Sequence, residues 1–214
     1  MAVDPIRVAI LGSTGSVGAQ ALDVVRGLPD RFHVVALAAG GNTARLAEQA
    51  REFHPRALYA RPGADADALR AAGLGEWQPL EEIAVRDDVD VLLVATSGLA
   101  SLHPTIAALR AGKPVAIANK ETLVVGGHAV REALEAGRAA GAELRPVDSE
   151  HSAIWQCLWG EPAEGIDRLI LTASGGAFRD YDLAALGAVT PEQALAHPRG
   201  RWARRSRSTA PPCS

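Results

Sequence analysis

The sequence predicts an α/β protein, with a doubly wound, mostly parallel sheet followed by the start of a second, α+β domain. Two observations carry that prediction. Short apolar runs rich in β-branched residues alternate with segments of helical periodicity through the first two thirds of the chain, the rhythm of repeated βαβ units. The composition, 48% hydrophobic and 22% charged over 214 residues, is that of a globular chain long enough for one large domain, or one domain plus part of another.

Taken in order, residues 6–11, 34–38, 57–60, 89–95, 115–118, 143–147 and 169–172 read as strands. After the first, Val17, Ala21, Val24, Val25 and Leu28 recur at helical spacing, and Val130, Ala133, Leu134 and Gly137 do the same before the sixth. Right-handed crossovers then place helices over a parallel sheet, with ligands expected beyond the carboxyl ends of its strands. A boundary is expected at Asp148, where strand 143–147 gives way to a helix carrying Ile154, Trp155 and Leu158. Residues 1–147 then form the first domain and 148–199 an incomplete second one. The latter holds strand 169–172, a glycine-rich loop at 173–177 and a short helix opened by Thr190-Pro191-Glu192-Gln193. That opening combines an N-cap Thr, Pro at the first helical position and Gln at the third.

Composition also excludes classes. No run of eighteen apolar residues exists and the first residues lack the regions of a signal peptide, so a soluble, cytoplasmic protein without a membrane partner is expected. Two cysteines, Cys157 and Cys213, are too few for a disulfide scaffold or a four-ligand zinc site. The five arginines after Pro198 stand in a segment without acids; a lone basic arm with no basic body does not make a nucleic-acid protein.

The chemistry begins at Gly12-Ser-Thr-Gly15-Ser-Val-Gly18, three glycines three apart between the first strand and the first helix. Backbone amides there can meet a pyrophosphate, and glycine permits both the turn and the close approach; the bland alternative is a tight structural turn. At this position the motif points to a Rossmann-type dinucleotide-binding domain. An NAD site would place an acid at the end of the second strand to bind the ribose 2′-hydroxyl. Here the chain reads Ala38-Ala-Gly40-Gly41-Asn42, with no acid between Asp30 and Glu48. Nothing there repels a 2′-phosphate, and Asn42 with Arg45 could receive it, so NADPH is favoured; otherwise the segment is only a helix-opening turn.

Two further strand ends carry polar side chains. Asn119-Lys120-Glu121 could meet a substrate phosphate or a nicotinamide, or form a solvated turn. Asp148-Ser149-Glu150 sets two carboxylates two apart, which point the same way if the chain is still extended. Hard oxygens at that spacing suit Mg²⁺ or Mn²⁺; the alternative is a helix N-terminus that favours acids and serine.

Gly12 to Gly18, Ala118-Asn-Lys-Glu121, Pro146-Val-Asp-Ser-Glu-His151 and Ser174-Gly-Gly176, in this order and spacing, resemble the 1-deoxy-D-xylulose 5-phosphate reductoisomerase family from Ile6 to about Pro198. The resemblance implies an NADPH- and divalent-metal-dependent enzyme of the non-mevalonate isoprenoid pathway, acting on a small phosphorylated sugar. It implies that Thr14, Gly15, Ser16, Val17, Gly40, Asn42, Asn119 and Glu121 line NADPH, and that Lys120, Ser149, Ser174 and His197 hold the substrate. Asp148 and Glu150 would be two of three carboxylate ligands to Mg²⁺ or Mn²⁺, with Co²⁺ a third candidate, and Lys120 and Glu150 the residues closest to the chemistry. A homodimer is implied for the full-length form. One departure is Gly41, where family members often carry a basic residue.

A semialdehyde dehydrogenase shares such a glycine turn but needs a nucleophilic cysteine, and Cys157, within Ile154-Trp-Gln-Cys-Leu158, reads as a buried core residue. A non-catalytic NADP-binding remnant is the other alternative. Residues 200–214 read as a non-native, disordered tail. The resemblance ends before them, and twenty arginines against two lysines suggest GC-rich DNA, whose shifted frame yields the Arg, Ser, Ala and Pro found there. A synonymous codon choice for Trp202 to Ser214 exists whose shifted frame restores the family's next motif.

Overall fold

The computed structural model describes residues 4–172 and 176–195. Ser174, His197 and the segment from 200 onward, singled out above, lie outside them. The chain divides into two compact units, Met1–Glu161 and Pro162–Ser214. The helix expected to open a second domain at Asp148 packs on the last strand of the sheet, within the first unit.

That unit alternates strand and helix throughout: β1 (Ile6–Leu11), α1 (Ser16–Gly27), β2 (Phe32–Ala39), α2 (Thr43–Phe53), β3 (Ala57–Ala60), α3 (Ala64–Ala71), β4 (Glu76–Trp77), α4 (Leu80–Val85), β5 (Val91–Val94), α5 (Leu102–Arg110), β6 (Pro114–Ile117), α6 (Lys120–Gly137), β7 (Glu143–Pro146) and α7 (Ser149–Leu158). Every strand pair is parallel, in the order β4-β3-β2-β1-β5-β6-β7. The chain winds outward from β1 to β4, returns to β5 beside β1, and winds outward again. The loops after β1 and β5 therefore diverge at the switch point, where such sheets bind ligands.

Alternation along β1 explains the layering. Ala9 and Leu11 face one side, with Ile83 of α4, Leu109 of α5 and Val130 of α6. Val8 and Ile10 face the other, with Leu22 and Val25 of α1, Leu46 of α2 and Leu69 of α3. Strands covered on both faces need apolar residues at successive positions, which is why these runs are continuous rather than alternating.

Three expectations are corrected. The apolar face of α1 is turned from the predicted stripe: Gly18, Leu22 and Val25 are buried, while Val24 and Leu28 are exposed. β4 was not expected, since two residues carry no periodicity. Residues 169–172 form no strand, and Leu169, Ile170 and Leu171 are exposed; a strand exists only when paired, and no described segment of the second unit is a strand. That unit contains 3₁₀ turns at Ala163–Gly165 and Leu183–Ala188 and a helix, α8 (Pro191–Leu195). The expected cap of α8 forms: Gln193 N–H donates to Thr190 Oγ1 at 3.3 Å, and Thr190 N–H to Gln193 Oε1 at 2.8 Å.

Candidate functional site

The glycine turn is built against its neighbours on both sides. Gly12 and Ser13 N–H both donate to the Ala38 carbonyl, at 2.8 and 2.9 Å, binding the loop to the end of β2. Gly12 has φ +90°, and a Cβ there would lie 2.5 Å from the Ala95 carbonyl oxygen after β5, so glycine is required twice over. At Gly18 a Cβ would run into the Gly12 carbonyl, which lets α1 sit down on the turn. Gly15 is the exposed N-cap of α1, whose first turn has no side-chain cap and no acid. Thr14 and Val17 are half-buried and Ser16 is exposed. The four form a ledge at the positive end of a twelve-residue helix, which suits an anion.

Beside it, at the end of β2, Gly40, Gly41 and Asn42 are exposed. Asn42 Oδ1 accepts from Arg45 N at 3.1 Å and caps α2. The loop is thus a helix-opening turn, and its residues stay exposed.

Ser13 and Gln49 escaped the sequence reading. Both are buried, and they exchange bonds: Ser13 Oγ donates to Gln49 Oε1 at 2.8 Å, and Gln49 Nε2 to the Ser13 carbonyl at 3.0 Å. The pair ties the glycine turn to α2.

Across the switch point, Asn119 caps α6, accepting from Thr122 N at 2.9 Å. Its Nδ2 donates to the carbonyls of Thr96 and Gly98 at 3.0 and 2.8 Å, and Ser101 and Thr122 hydroxyls close the cluster. The Asn119 side chain is buried and spent inside the protein, so it shapes the loop after β5 and leaves only the backbone of this residue for a ligand. Glu121 is exposed in the first turn of α6.

At the ends of β6 and β7 the chain brings together Lys120, Asp148 and His151, which with Leu123, Val124 and Pro146 line a cleft of about 310 Å³. Lys120 Nζ stands 2.8 Å from Asp148 Oδ2, and His151 Nδ1 2.6 Å from Asp148 Oδ1. The Lys120 ammonium first, and His151 second, hold the Asp148 carboxyl far below the usual carboxylate range, while Asp148 raises Lys120. The chain is not extended past Asp148, which is the N-cap of α7. Asp148 and Glu150 therefore do not project as a strand pair: Glu150 sits in the first turn of α7 and accepts from Ser149 Oγ at 3.0 Å. Among the described residues no three His, Cys, Asp or Glu side chains form a metal cage. Asp148 and Glu150 still fit one edge of a hard-cation site, since both are oxygen donors and Asp148 is held ionised. His151, three residues from Asp148 on one helical turn, was given no role in the sequence; its i, i+3 spacing was the available signal. Cys157 is exposed, not buried, because Ile154, Trp155 and Leu158 take the covered side of α7. It does not line the cleft.

Residues 8–127 match the family model of 1-deoxy-D-xylulose 5-phosphate reductoisomerase. The chain belongs to that family. The model of the reductoisomerase C-terminal domain matches residues 144–207, running on into the segment that the sequence reading set apart. The reductoisomerase of a Synechocystis species is 48% identical over 202 residues, 90% of this chain and 50% of that protein. That of an Anaeromyxobacter species is 51% identical over 199 residues, again 90% and 50%. The chain thus spans about half the length of the curated relatives it matches. A crystal structure of DOX-P reductoisomerase with NADPH, fosmidomycin and magnesium is similar at TM-score 0.75 and 34% identity, covering 90% of this chain and 51% of that one. The Zymomonas mobilis reductoisomerase in complex with NADPH is similar at TM-score 0.76 and 39% identity, covering 89% and 51%.

Proposed function

We propose that the chain serves the reaction of its family, the NADPH-dependent conversion of 1-deoxy-D-xylulose 5-phosphate to 2-C-methyl-D-erythritol 4-phosphate in the non-mevalonate isoprenoid pathway. The observation that carries this is the glycine turn and uncapped α1 N-terminus at the switch point, within the segment that matches the family. Solved relatives that hold NADPH and magnesium support it.

In this reading Thr14, Gly15, Ser16 and Val17 bind the pyrophosphate. Gly40 and Asn42 meet the adenosine end, and the Asn119 backbone and Glu121 the nicotinamide end. Lys120 and Ser149, with Ser174 and His197, hold the phosphorylated sugar. Asp148 and Glu150 supply two oxygen ligands to Mg²⁺, Mn²⁺ or Co²⁺. Bound NADPH supplies hydride, and a bound cation supplies the Lewis acidity that rearrangement of the carbon skeleton needs. Lys120 and His151 meanwhile balance the Asp148 carboxylate and keep it ionised, and the Lys120 ammonium would also meet the substrate. The cleft beside them orients the sugar and excludes water. The same reading divides the chain into a cofactor domain over 1–147, an incomplete catalytic domain over 148–199 and a non-native tail. It makes the full-length form a cytoplasmic homodimer. No helix of the described residues is long and apolar enough to cross a membrane.

The test is a titration of the 214-residue chain with NADPH and NADH, followed by nicotinamide fluorescence. NADPH is expected to bind at least about tenfold tighter, a difference of about 1.4 kcal/mol. Turnover by this chain alone is expected to be weak or absent, because its described residues bring together only two of the carboxylates a metal's oxygen shell would need. Equal affinities, no binding, or robust turnover would each count against the proposal.

A further inference from the structure

Arg61 has no part in the function as proposed so far. It follows Ala60, the last residue of β3, which pairs with Ala39, the last residue of β2. Its backbone N–H donates to the carbonyls of Ala39 at 3.2 Å and Gly40 at 3.1 Å, so its Cα is fixed to the loop after β2. Its side chain turns back over that loop: Nη2 lies 3.4 Å from the point where a Cβ of residue 41 would stand. Gly41 leaves that point empty, and the guanidinium occupies the space above the turn.

Arg45 lies in the first turn of α2, just past the same turn, where its N–H is held by Asn42. Both arginines are exposed, and among the described residues neither forms an ion pair. The acids nearest Arg61 in sequence, Asp65 and Asp67, pair with neither arginine among those residues, and no acid lies between Asp30 and Glu48. The Arg61 guanidinium therefore lies over a turn that carries no side chain at its centre, and a second arginine with no ion pair among the described residues opens the helix that follows. The end of the second strand in this fold is where the adenosine ribose of a dinucleotide sits, and an acid there would select the free 2′-hydroxyl. A pair of planar, permanently charged forks selects the opposite, a phosphate dianion held by parallel N–H bonds.

We infer that Arg61, assisted by Arg45 just past the Gly40-Gly41 turn, recognises the 2′-phosphate of the cofactor and sets its preference for NADPH over NADH. The inference rests on the proposed function, since it assigns a residue within the same cofactor site. Arg61 is a specificity residue: it leaves the nicotinamide chemistry untouched and acts only on the phosphate that distinguishes the two nucleotides.

The experiment compares NADPH and NADH binding by the intact chain and its R61A, R61K and R45A variants, with far-UV circular dichroism to verify folding. Charge-assisted bonds to phosphate predict at least about a tenfold loss of NADPH affinity in R61A. NADH affinity should stay within about twofold, R61K should recover part of the loss, and R45A should show a smaller loss of the same kind. Raising salt from about 0.05 to about 0.5 M should erode discrimination in the unmodified chain and leave R61A little changed. If R61A keeps the original ratio of the two affinities, or weakens both nucleotides equally, the inference is overturned while the nucleotide-binding reading stands. If the unmodified chain binds neither nucleotide, or binds both equally, that reading falls and the inference with it.

Discussion

The Asp148 carboxylate is shared between the Lys120 ammonium and the His151 ring, and that sharing decides how it behaves. Its pKa in the folded chain lies below the unfolded value. The stabilisation it brings is therefore fully present above about pH 4, the unfolded range, and is lost as pH falls through the folded pKa. Lys120 is 63% exposed, so solvent screens the pair and its share of stability is small. A carboxylate held ionised at little structural advantage suits a ligand that trades one cation for another. If the proposed function holds, Asp148→Asn in a full-length form should raise the metal concentration needed for activity and cut turnover by at least about 100-fold, with NADPH affinity within about twofold. Melting temperatures of the two forms should converge on acidification. Loss of NADPH binding in Asp148→Asn would instead assign the residue to the fold.

Between elements, the Ser13–Gln49 exchange joins the β1–α1 turn to α2, and so fixes the ledge at the start of α1 relative to the turn proposed to receive the adenosine ribose. Gln49→Ala removes the side-chain donor to the buried Ser13 carbonyl and leaves the Ser13 hydroxyl only its 3.4 Å bond to the Ala38 carbonyl, which should cost about 1–3 kcal/mol and weaken NADPH several-fold by loosening that spacing. A double-mutant cycle with Ser13→Ala should give a coupling of about 0.5–3 kcal/mol; strict additivity in both stability and NADPH affinity would refute the coupling. The pair also marks where sequence reading stops. β1, β2, β5 and β6 were legible because their aliphatic, β-branched runs signal strands locally, and the cap of α8 because its residues lie three apart. Gln49 lies 36 residues from Ser13, and no local pattern distinguishes a buried Gln on α2 from its exposed polar neighbours. Residues 169–172 failed in the opposite sense: they have strand composition and no partner. Asn119 was placed at the right strand end, but its side chain serves the loop it caps, which only the fold reveals. Arg61 was invisible for the same reason, since its importance comes from β3 lying beside β2.

At the scale of the molecule, the cofactor residues assigned above fall in one unit, Met1–Glu161, together with the whole seven-stranded sheet and both hydrophobic clusters. The largest fully buried side chains, among them Ile10, Leu22, Leu37, Leu58 and Leu109, all belong to it. From Pro162 on, no residue whose burial is described is buried. A segment that buries no apolar side chain adds little to the hydrophobic driving force, whereas a domain of this size with a two-faced sheet core has enough to fold cooperatively. A chain cut after Glu161 should therefore keep its far-UV spectrum, unfold in a single urea transition at nearly the same midpoint, and bind NADPH within about twofold of the intact chain. Its urea m-value, which follows the surface exposed on unfolding, should be almost unchanged. A broad transition, a large fall in midpoint or loss of NADPH binding would show that residues after Glu161 complete the core of the cofactor unit.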